Sequence, residues 1–173
     1  MTDQEMRELI RETMDLQYEA DTYATDEPTR AVAHEPVSSA ELARFEQHLR
    51  SRGLPLAPSY AQFLRIHNGI ERFIPSMLDL SLRSVAEVID MEEDDRRLQP
   101  ITPTFRFIVG AGDDTATSVG FIPDSADTAG EMRMVMLNES GELTHYDDFV
   151  DFLRDQHSYY AGIVRVSRLT GRT

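Results

Sequence analysis

The strongest constraint on the fold of this chain is a short pattern, Ser/Thr-x-x-Glu, which occurs three times directly before an amphipathic stretch. It spans Thr2–Glu5, Ser38–Glu41 and Ser84–Glu87. In such a capping box the hydroxyl accepts a hydrogen bond from the backbone N–H of the glutamate, whose side chain accepts from the first backbone N–H in return. Each copy therefore predicts a helix start. The second is the clearest, because Val37 and Leu42 can form a hydrophobic staple across it.

The first two predicted helices are separated by an irregular segment. The first covers about residues 3–22, and its apolar stripe fades after Leu16, so we expect only its first half to pack against the domain. The second begins near Ser39 and ends at Gly53, where a left-handed backbone is favoured. Residues 24–36 contain two prolines and no helical stripe, which predicts a linker.

The segment Leu56–Ile70, LAPSYAQFLRIHNGI, predicts a third, short helix. Pro58 suits its first turn, since a backbone N–H at that position would have no partner. Phe63-Leu64 falls on the apolar face and is predicted to be core, and Asn68-Gly69 is expected to end the helix with a positive φ. His67 lies on the same apolar face, so we interpret it as a partly buried, hydrogen-bonded residue rather than a catalytic one.

After Gly69 the helical period gives way to short extended runs bounded by turn residues. Six such runs are predicted: Ile70–Ile74, Met77–Leu80, Phe105–Val109, Ser118–Ile122, Arg133–Leu137 and Glu142–Tyr146. The sequences GAGDD at 110–114 and NESGE at Asn138–Glu142 are predicted turns. A further capped helix runs from Ser84 to about Asp95, and a last helix from about Asp147 to Tyr160. This order does not alternate as a parallel βαβ sheet requires, so it predicts the α+β class.

The charge of the chain excludes some classes of function. The formal net charge is −14, from 31 acidic and 17 basic residues, whereas nucleic-acid binding needs basic patches. No apolar run approaches the ~18 residues of a membrane span, and the N-terminus lacks the apolar segment of a secretory signal, so we expect no membrane association and a cytoplasmic location. Residues 113–155 hold eleven acids against two arginines, whereas residues 156–173 hold three arginines and no acid. Two interpretations stay open: a solvated surface, or a field that steers a basic partner.

The sequence contains no pattern typical of catalysis or of a bound cofactor. It has no cysteine, and its five histidines lack the spacings of a zinc site. Neither a nucleophile elbow nor a glycine-rich phosphate loop is present. The acidic pair Asp147-Asp148 is explained by the macrodipole at a helix N-terminus. We therefore expect a binding domain with no catalytic residues, no metal and no cofactor.

Four stretches, taken together, resemble the SMI1/KNR4 family, also called the SUKH superfamily, in order and spacing over about residues 37–155. They are FEQHLRSRGLPLAPSYAQFLRIHNG (Phe45–Gly69), DLSLRSVAEV (Asp79–Val88), FRFIVGAGDDTATSVGFIPD (Phe105–Asp124) and YDDFVDFLRD (Tyr146–Asp155). The resemblance implies an α+β fold with a mostly antiparallel, twisted sheet of about six strands flanked by helices. It also implies a role found in bacterial members, which bind and block toxins, often nucleases or deaminases. Fungal relatives act as regulatory scaffolds, and no catalytic residue carries over.

We predict a non-enzymatic domain over residues 37–160, with an N-terminal helix and linker at 1–36 and a short basic tail at 161–173. The expected function is that of an immunity protein that neutralises a basic toxin. The alternative is a regulatory or scaffolding interaction module not tied to a toxin. The predicted partner-binding residues are the clustered acids Glu92, Glu93, Asp94, Asp95, Asp113 and Asp114.

Overall fold

The computed structural model describes residues 1–74, 80–90, 107–112, 117–137, 141 and 143–171. Its helices are α1 (Asp3–Thr22), α2 (Ser39–Ser51), α3 (Pro58–Leu64), α4 (described over 85–90) and α5 (Phe149–Thr170), with a 3₁₀ turn at Pro123–Ser125. Its strands are β1 (Val32–Ala33), β2 (Ile70–Ile74), β3 (Leu80–Leu82), β4 (Phe107–Gly112), β5 (Ser118–Phe121), β6 (Met134–Leu137) and β7 (Leu143–Tyr146). None of the described helices is long and apolar enough to cross a membrane.

The sheet is an antiparallel meander whose spatial order, β1 to β7, is the order of the chain. The register places Met134 opposite Tyr146 and Val119 opposite Met136. The predicted α+β class, with an antiparallel sheet and flanking helices, is confirmed. The described sheet has seven strands instead of about six, because a short strand precedes the predicted ones.

That extra strand, β1, lies in the segment predicted to be a linker. Val32 pairs with Glu71 and Ala33 with Ile70, and the backbone N–H of His34 donates to the carbonyl of Gly69 at 3.1 Å. The prediction of a linker over 24–36 was therefore wrong in its second half. A strand of two residues is too short to show the alternation of apolar and polar side chains that identifies a strand in a sequence. Only its pairing with β2 reveals β1.

Strand β4 is longer than predicted at its C-terminal end. Residues 110–112, predicted to begin a turn, continue the strand and pair with both β3 and β5. A Cβ on Gly110 would lie 2.7 Å from Cγ1 of Val119 and 3.0 Å from the carbonyl oxygen of Ser81. This glycine is therefore required by close packing within the sheet rather than by a turn.

All three capping boxes form, as the sequence predicts. The hydroxyl oxygens of Thr2, Ser38 and Ser84 accept from the backbone N–H three residues later, and each glutamate accepts from the capping residue's N–H. These bonds lower the pKa of the Glu41 carboxyl, mainly through the Ser38 side chain and backbone. Gly53 also has the expected positive φ, 72°.

One face of helix α1 is buried along the whole length of the helix. The expectation that only the first half of the helix packs against the domain was therefore wrong. Its buried positions continue at helical spacing through Met6, Ile10, Thr13, Gln17, Ala20 and Asp21. The stripe becomes polar halfway, where the Thr13 hydroxyl donates to the Leu9 carbonyl at 2.7 Å. A hydropathy pattern identifies buried faces by their apolar residues, so it cannot show a buried face that is partly polar.

Helix α5 extends ten residues beyond the predicted end at Tyr160, to Thr170, and Gly171 follows with φ 62°. The predicted end of this helix at Tyr160 was therefore wrong, and residues 161–170 of the predicted basic tail are helical. The helix continues because Val164 is buried in line with Tyr160. Contacts from Glu12 to His157 and from Glu19 to Arg168 show that α1 and α5 run side by side in the same direction.

The main core surrounds α3 and is rich in aromatic rings. Tyr60 and Phe63 are fully buried, and their ring centroids lie 5.3 and 5.0 Å from that of Phe149. Phe107 and Phe121, from β4 and β5, complete the cluster. The prediction that Phe63 and Leu64 are core is confirmed.

The segment after α3 has a different role from the predicted helix cap. The helix ends at Leu64, and the Oδ1 atom of Asn68 accepts from the Val85 backbone N–H at 2.9 Å, at the start of α4. The predicted positive φ is confirmed at Gly69, which has φ 97°, and a Cβ there would lie 2.8 Å from both the Leu82 carbonyl oxygen and the Ser84 nitrogen. These two residues therefore join α4 and the sheet rather than end α3.

Candidate functional site

The six residues predicted to bind a partner lie outside the residues that the structure describes. They are Glu92, Glu93, Asp94, Asp95, Asp113 and Asp114. Their role in binding stays a prediction.

The structure describes the surroundings of His67, interpreted above as a partly buried residue, and of His145. His67 is half-buried, and its Nδ1 lies 3.2 Å from the backbone carbonyl oxygen of His34. Burial lowers the pKa of His67 below its ordinary value. His145 is exposed on β7. Neither histidine is among the lining residues of the two cavities below.

A cavity of about 310 Å³ lies between α1, α5 and the sheet; we call it the α1–α5 cavity. Its volume is within the range of small-ligand and anchor sites. It is lined by Gln17, Ala20, Asp21, Ala24, Ile74, Met136, Thr144, Tyr146, Asp155, Gln156, Tyr159, Tyr160 and Ile163. The lining combines apolar and aromatic side chains with a few polar groups.

Gln17 forms part of the α1 wall and is fully buried. Its Nε2 donates to the carbonyl oxygen of Arg72 at 2.6 Å, and its Oε1 is buried without a hydrogen-bond partner among the described residues. Arg72 has φ 52°, and its backbone N–H donates to the Ser81 hydroxyl at 2.9 Å. The buried side chains of Gln17 and Ser81 thus hold the strained backbone of Arg72 beside the cavity. Oε1 of Gln17 has no hydrogen-bond donor among the described residues.

The α5 wall carries a carboxylate with weak internal partners. Oδ2 of Asp155 accepts from the Tyr146 hydroxyl at 3.4 Å and from Nε2 of Gln156 at 3.3 Å. Both distances exceed the usual length of a strong hydrogen bond to a carboxylate. On the opposite wall, Oδ2 of Asp21 accepts from the Thr29 backbone N–H at 2.7 Å.

Two tyrosines of the cavity, Tyr146 and Tyr160, remain neutral phenols. Burial raises the pKa of Tyr146 above its usual range, and the nearby Asp155 carboxylate raises it further. Burial also raises the pKa of Tyr160. Since the lining residues that the structure describes include no arginine, lysine or histidine, their only formal charges are the carboxylates of Asp21 and Asp155.

Exposed apolar side chains continue from the cavity along α5. Tyr159 is 59% exposed, Val166 60% and Leu169 77%. Tyr159 and Ile163 line the cavity, and Val166 follows three residues after Ile163 on the same side of the helix. Such an apolar patch beside a cavity is typical of a surface that a partner covers.

A second, more polar cleft of about 420 Å³ lies where the N-termini of α1, α3 and α5 meet. Its acids mostly cap helices. Glu131 accepts from the backbone N–H of Ser59 at 2.7 Å and from its hydroxyl at 2.8 Å, and Asp148 accepts from the Asp151 N–H at 2.8 Å. Asp3 accepts from Nε2 of Gln62 at 2.8 Å. We therefore interpret this cleft as a structural junction.

No group of three or more potential metal-ligating side chains occurs among the residues the structure describes. Sequence reasoning did not identify the α1–α5 cavity. The one available signal was Gln17, a polar residue in register with Met6 and Ile10 on the packed face of α1.

Comparison with protein-family models and with curated proteins gave no match for this chain. The resemblance to the SMI1/KNR4 family therefore rests on the order and spacing of the four motif stretches.

Proposed function

We propose that this chain is a non-enzymatic, protein-binding domain that serves as a bacterial immunity protein against a basic toxin of the nuclease or deaminase type. The observation that carries the proposal is the α1–α5 cavity. The charged residues of its described lining are both acidic, it adjoins exposed apolar side chains, and the protein has a net charge of −14.

Part of the acidic charge is available to a partner. Asp26, Glu27 and Glu35 are exposed and make no ion pair with a described residue. A surface of one sign raises the rate of association with an oppositely charged protein by about 10–10³-fold. Enzymes that act on nucleic acids carry basic surfaces, so an acidic inhibitor of such an enzyme gains both association rate and specificity.

The toxin-neutralising role comes from the resemblance to the SMI1/KNR4 family. The antiparallel sheet with packed helices, and the absence of catalytic motifs in the sequence, are compatible with that role. A regulatory interaction module not tied to a toxin remains the alternative.

The decisive experiment is co-expression of the full, tagged chain with the products of the genes next to its own. We expect one neighbouring product to arrest growth alone, to co-purify with this protein, and to lose its toxicity in the complex. If no neighbour is toxic and a non-toxic neighbour forms the stable complex, the regulatory alternative replaces the immunity role. If no neighbour binds, the proposal fails.

Once a partner is identified, the predicted acidic residues give a separate test of how it binds. Reversing the charge of Glu92–Asp95, or of Asp113 and Asp114, should slow association and flatten its salt dependence, with little change in stability. Stopped-flow association rates between roughly 50 and 500 mM salt would measure this, since screening strengthens severalfold over that range. A rate that is indifferent to salt would mean that the charge serves solubility alone.

A further inference from the structure

We propose that the α1–α5 cavity is an anchor pocket that takes an arginine side chain of the protein partner. This inference rests on the proposed function and names the chemistry by which the partner is held.

The polar groups of the pocket call for a donor-rich cation. Asp21 and Asp155 supply the only formal charges among the described lining residues, and the Asp155 carboxylate accepts hydrogen bonds at the long distances of 3.4 and 3.3 Å. An anion would be repelled by both carboxylates. A neutral apolar ligand would remove both carboxylates from water without pairing them, which costs free energy.

The apolar groups of the pocket suit the rest of an arginine side chain. Ala20, Ile74 and Met136 offer surface to its methylene stem. Tyr159 and Tyr160 offer aromatic rings, on which a planar guanidinium stacks more favourably than a compact ammonium. Its five N–H donors can serve several acceptors at once.

The surroundings of the pocket favour a protein as the source of the guanidinium. Tyr159 and Val166 are exposed beside the opening, so a partner that inserts an arginine would also cover them. A central anchor within an apolar patch that excludes water is the usual arrangement of a binding hot spot.

The first test is an NMR titration of the full ¹⁵N-labelled chain with n-butylguanidinium, and with n-butylurea as the neutral probe of the same shape. We expect the cation to shift the backbone amides of Ala20, Asp155 and Tyr159 and to bind at least tenfold more tightly than the urea. Equal binding of the two probes, or shifts that avoid these amides, would overturn the proposal.

Matched variants localise the effect. Asp155→Asn should weaken guanidinium binding at least tenfold, whereas Asp147→Asn, which removes the same charge from an exposed residue outside the lining, should change it less than twofold. Ala24→Phe, at the exposed rim, should block the pocket, and Ala43→Phe on α2 is its control. An Asp155→Asn protein that binds the cation as well as the wild type would refute the pocket.

A partner, once identified, separates this inference from the proposed function. We expect Asp155→Asn and Ala24→Phe each to weaken the complex at least tenfold, mainly through faster dissociation, while both controls bind normally. A partner that binds all four variants equally would overturn the arginine pocket and leave the protein-binding function intact. If the chain binds n-butylguanidinium selectively but no protein partner exists, the claim that the guanidinium comes from a protein would be overturned.

Discussion

The packing around α3 and the packing between α1 and α5 each bury one face of a helix, but they do so with different chemistry. Around α3 the contacts are between aromatic rings, such as Tyr60 and Phe149, whose centroids are 5.3 Å apart. Between α1 and α5 the buried positions include Gln17 and Gln156, and a cavity of about 310 Å³ remains.

This difference indicates that one region mainly stabilises the fold and the other is available for binding. Close-packed aromatic rings leave no room for a ligand and contribute mainly to the free energy of folding. A helix pair with buried polar positions and an open cavity contributes less, but the weakly hydrogen-bonded carboxylate of Asp155 keeps bonding capacity that a partner can use. Four predictions follow from this contrast, from the largest effect to the smallest.

Truncating the aromatic core should have the largest effect. Phe63→Ala removes a fully buried ring and should lower the free energy of unfolding by about 3–5 kcal/mol. Tyr159→Ala, which truncates an exposed ring at the α1–α5 cavity, should cost less than about 1 kcal/mol. Denaturant titration monitored by circular dichroism measures both, and equal costs would remove the contrast between the two regions.

Removing the polar support of α1 should have an intermediate effect. Gln17→Leu leaves the carbonyl of Arg72 without its 2.6 Å donor, which should cost about 1–3 kcal/mol. Gln4→Leu is the control on the same helix, because Gln4 is exposed and donates only to Glu8. Its expected cost is within about 0.5 kcal/mol. If Gln17→Leu is as stable as wild type, the buried glutamine is not a support of the Arg72 backbone.

The ion pair between the ends of α1 and α5 should contribute little. Arg168 donates to both carboxylate oxygens of Glu19 at 2.7 Å, and these bonds lower the pKa of Glu19. Both side chains are partly or largely exposed, so a double-mutant cycle of Arg168→Gln and Glu19→Gln should give a coupling of about 0.2–1 kcal/mol. The coupling should shrink between about 50 and 500 mM salt. A coupling above that range, unchanged by salt, would mean that the pair defines how α1 and α5 dock.

His67 should produce the smallest effect, seen as a pH dependence. Because burial lowers its pKa in the folded state, the unfolded chain takes up a proton first as the pH falls below about 6.5. The contribution of His67 to stability is therefore constant above that pH, decreases below it, and levels off once the folded pKa is passed. His67→Gln should remove this decrease, as measured by denaturant titration from pH 7.5 to 5.5. An NMR titration that places its pKa above 6.5 would contradict the sign.

The contrast between the regions also explains which predictions from sequence succeeded. The short-range features formed as expected: three capping boxes, the apolar face of α3 and the glycine at the end of α2. The features that depend on distant partners did not appear in the sequence. They include β1, which exists through its pairing with Glu71 and Ile70, and the cap of α3 by Glu131, which lies 72 residues from Ser59.

The candidate site belongs to this second group. Asp155 and Asp21 come from helices at opposite ends of the chain, and nothing in their spacing marks them as neighbours. The acids that the sequence did mark, at 92–95 and 113–114, lie outside the described residues.

By itself the sequence determined the α+β class, most helix starts and the aromatic core, because capping and hydrophobic periodicity act over a few residues and leave a readable pattern. Only the tertiary structure decided how far α1 packs, how far α5 extends and where a cavity remains. Those outcomes depend on contacts between residues far apart in the chain, apolar for Val164 and polar for Gln17. Gln17 finds the Arg72 carbonyl 55 residues away and leaves its own oxygen unmet beside the α1–α5 cavity.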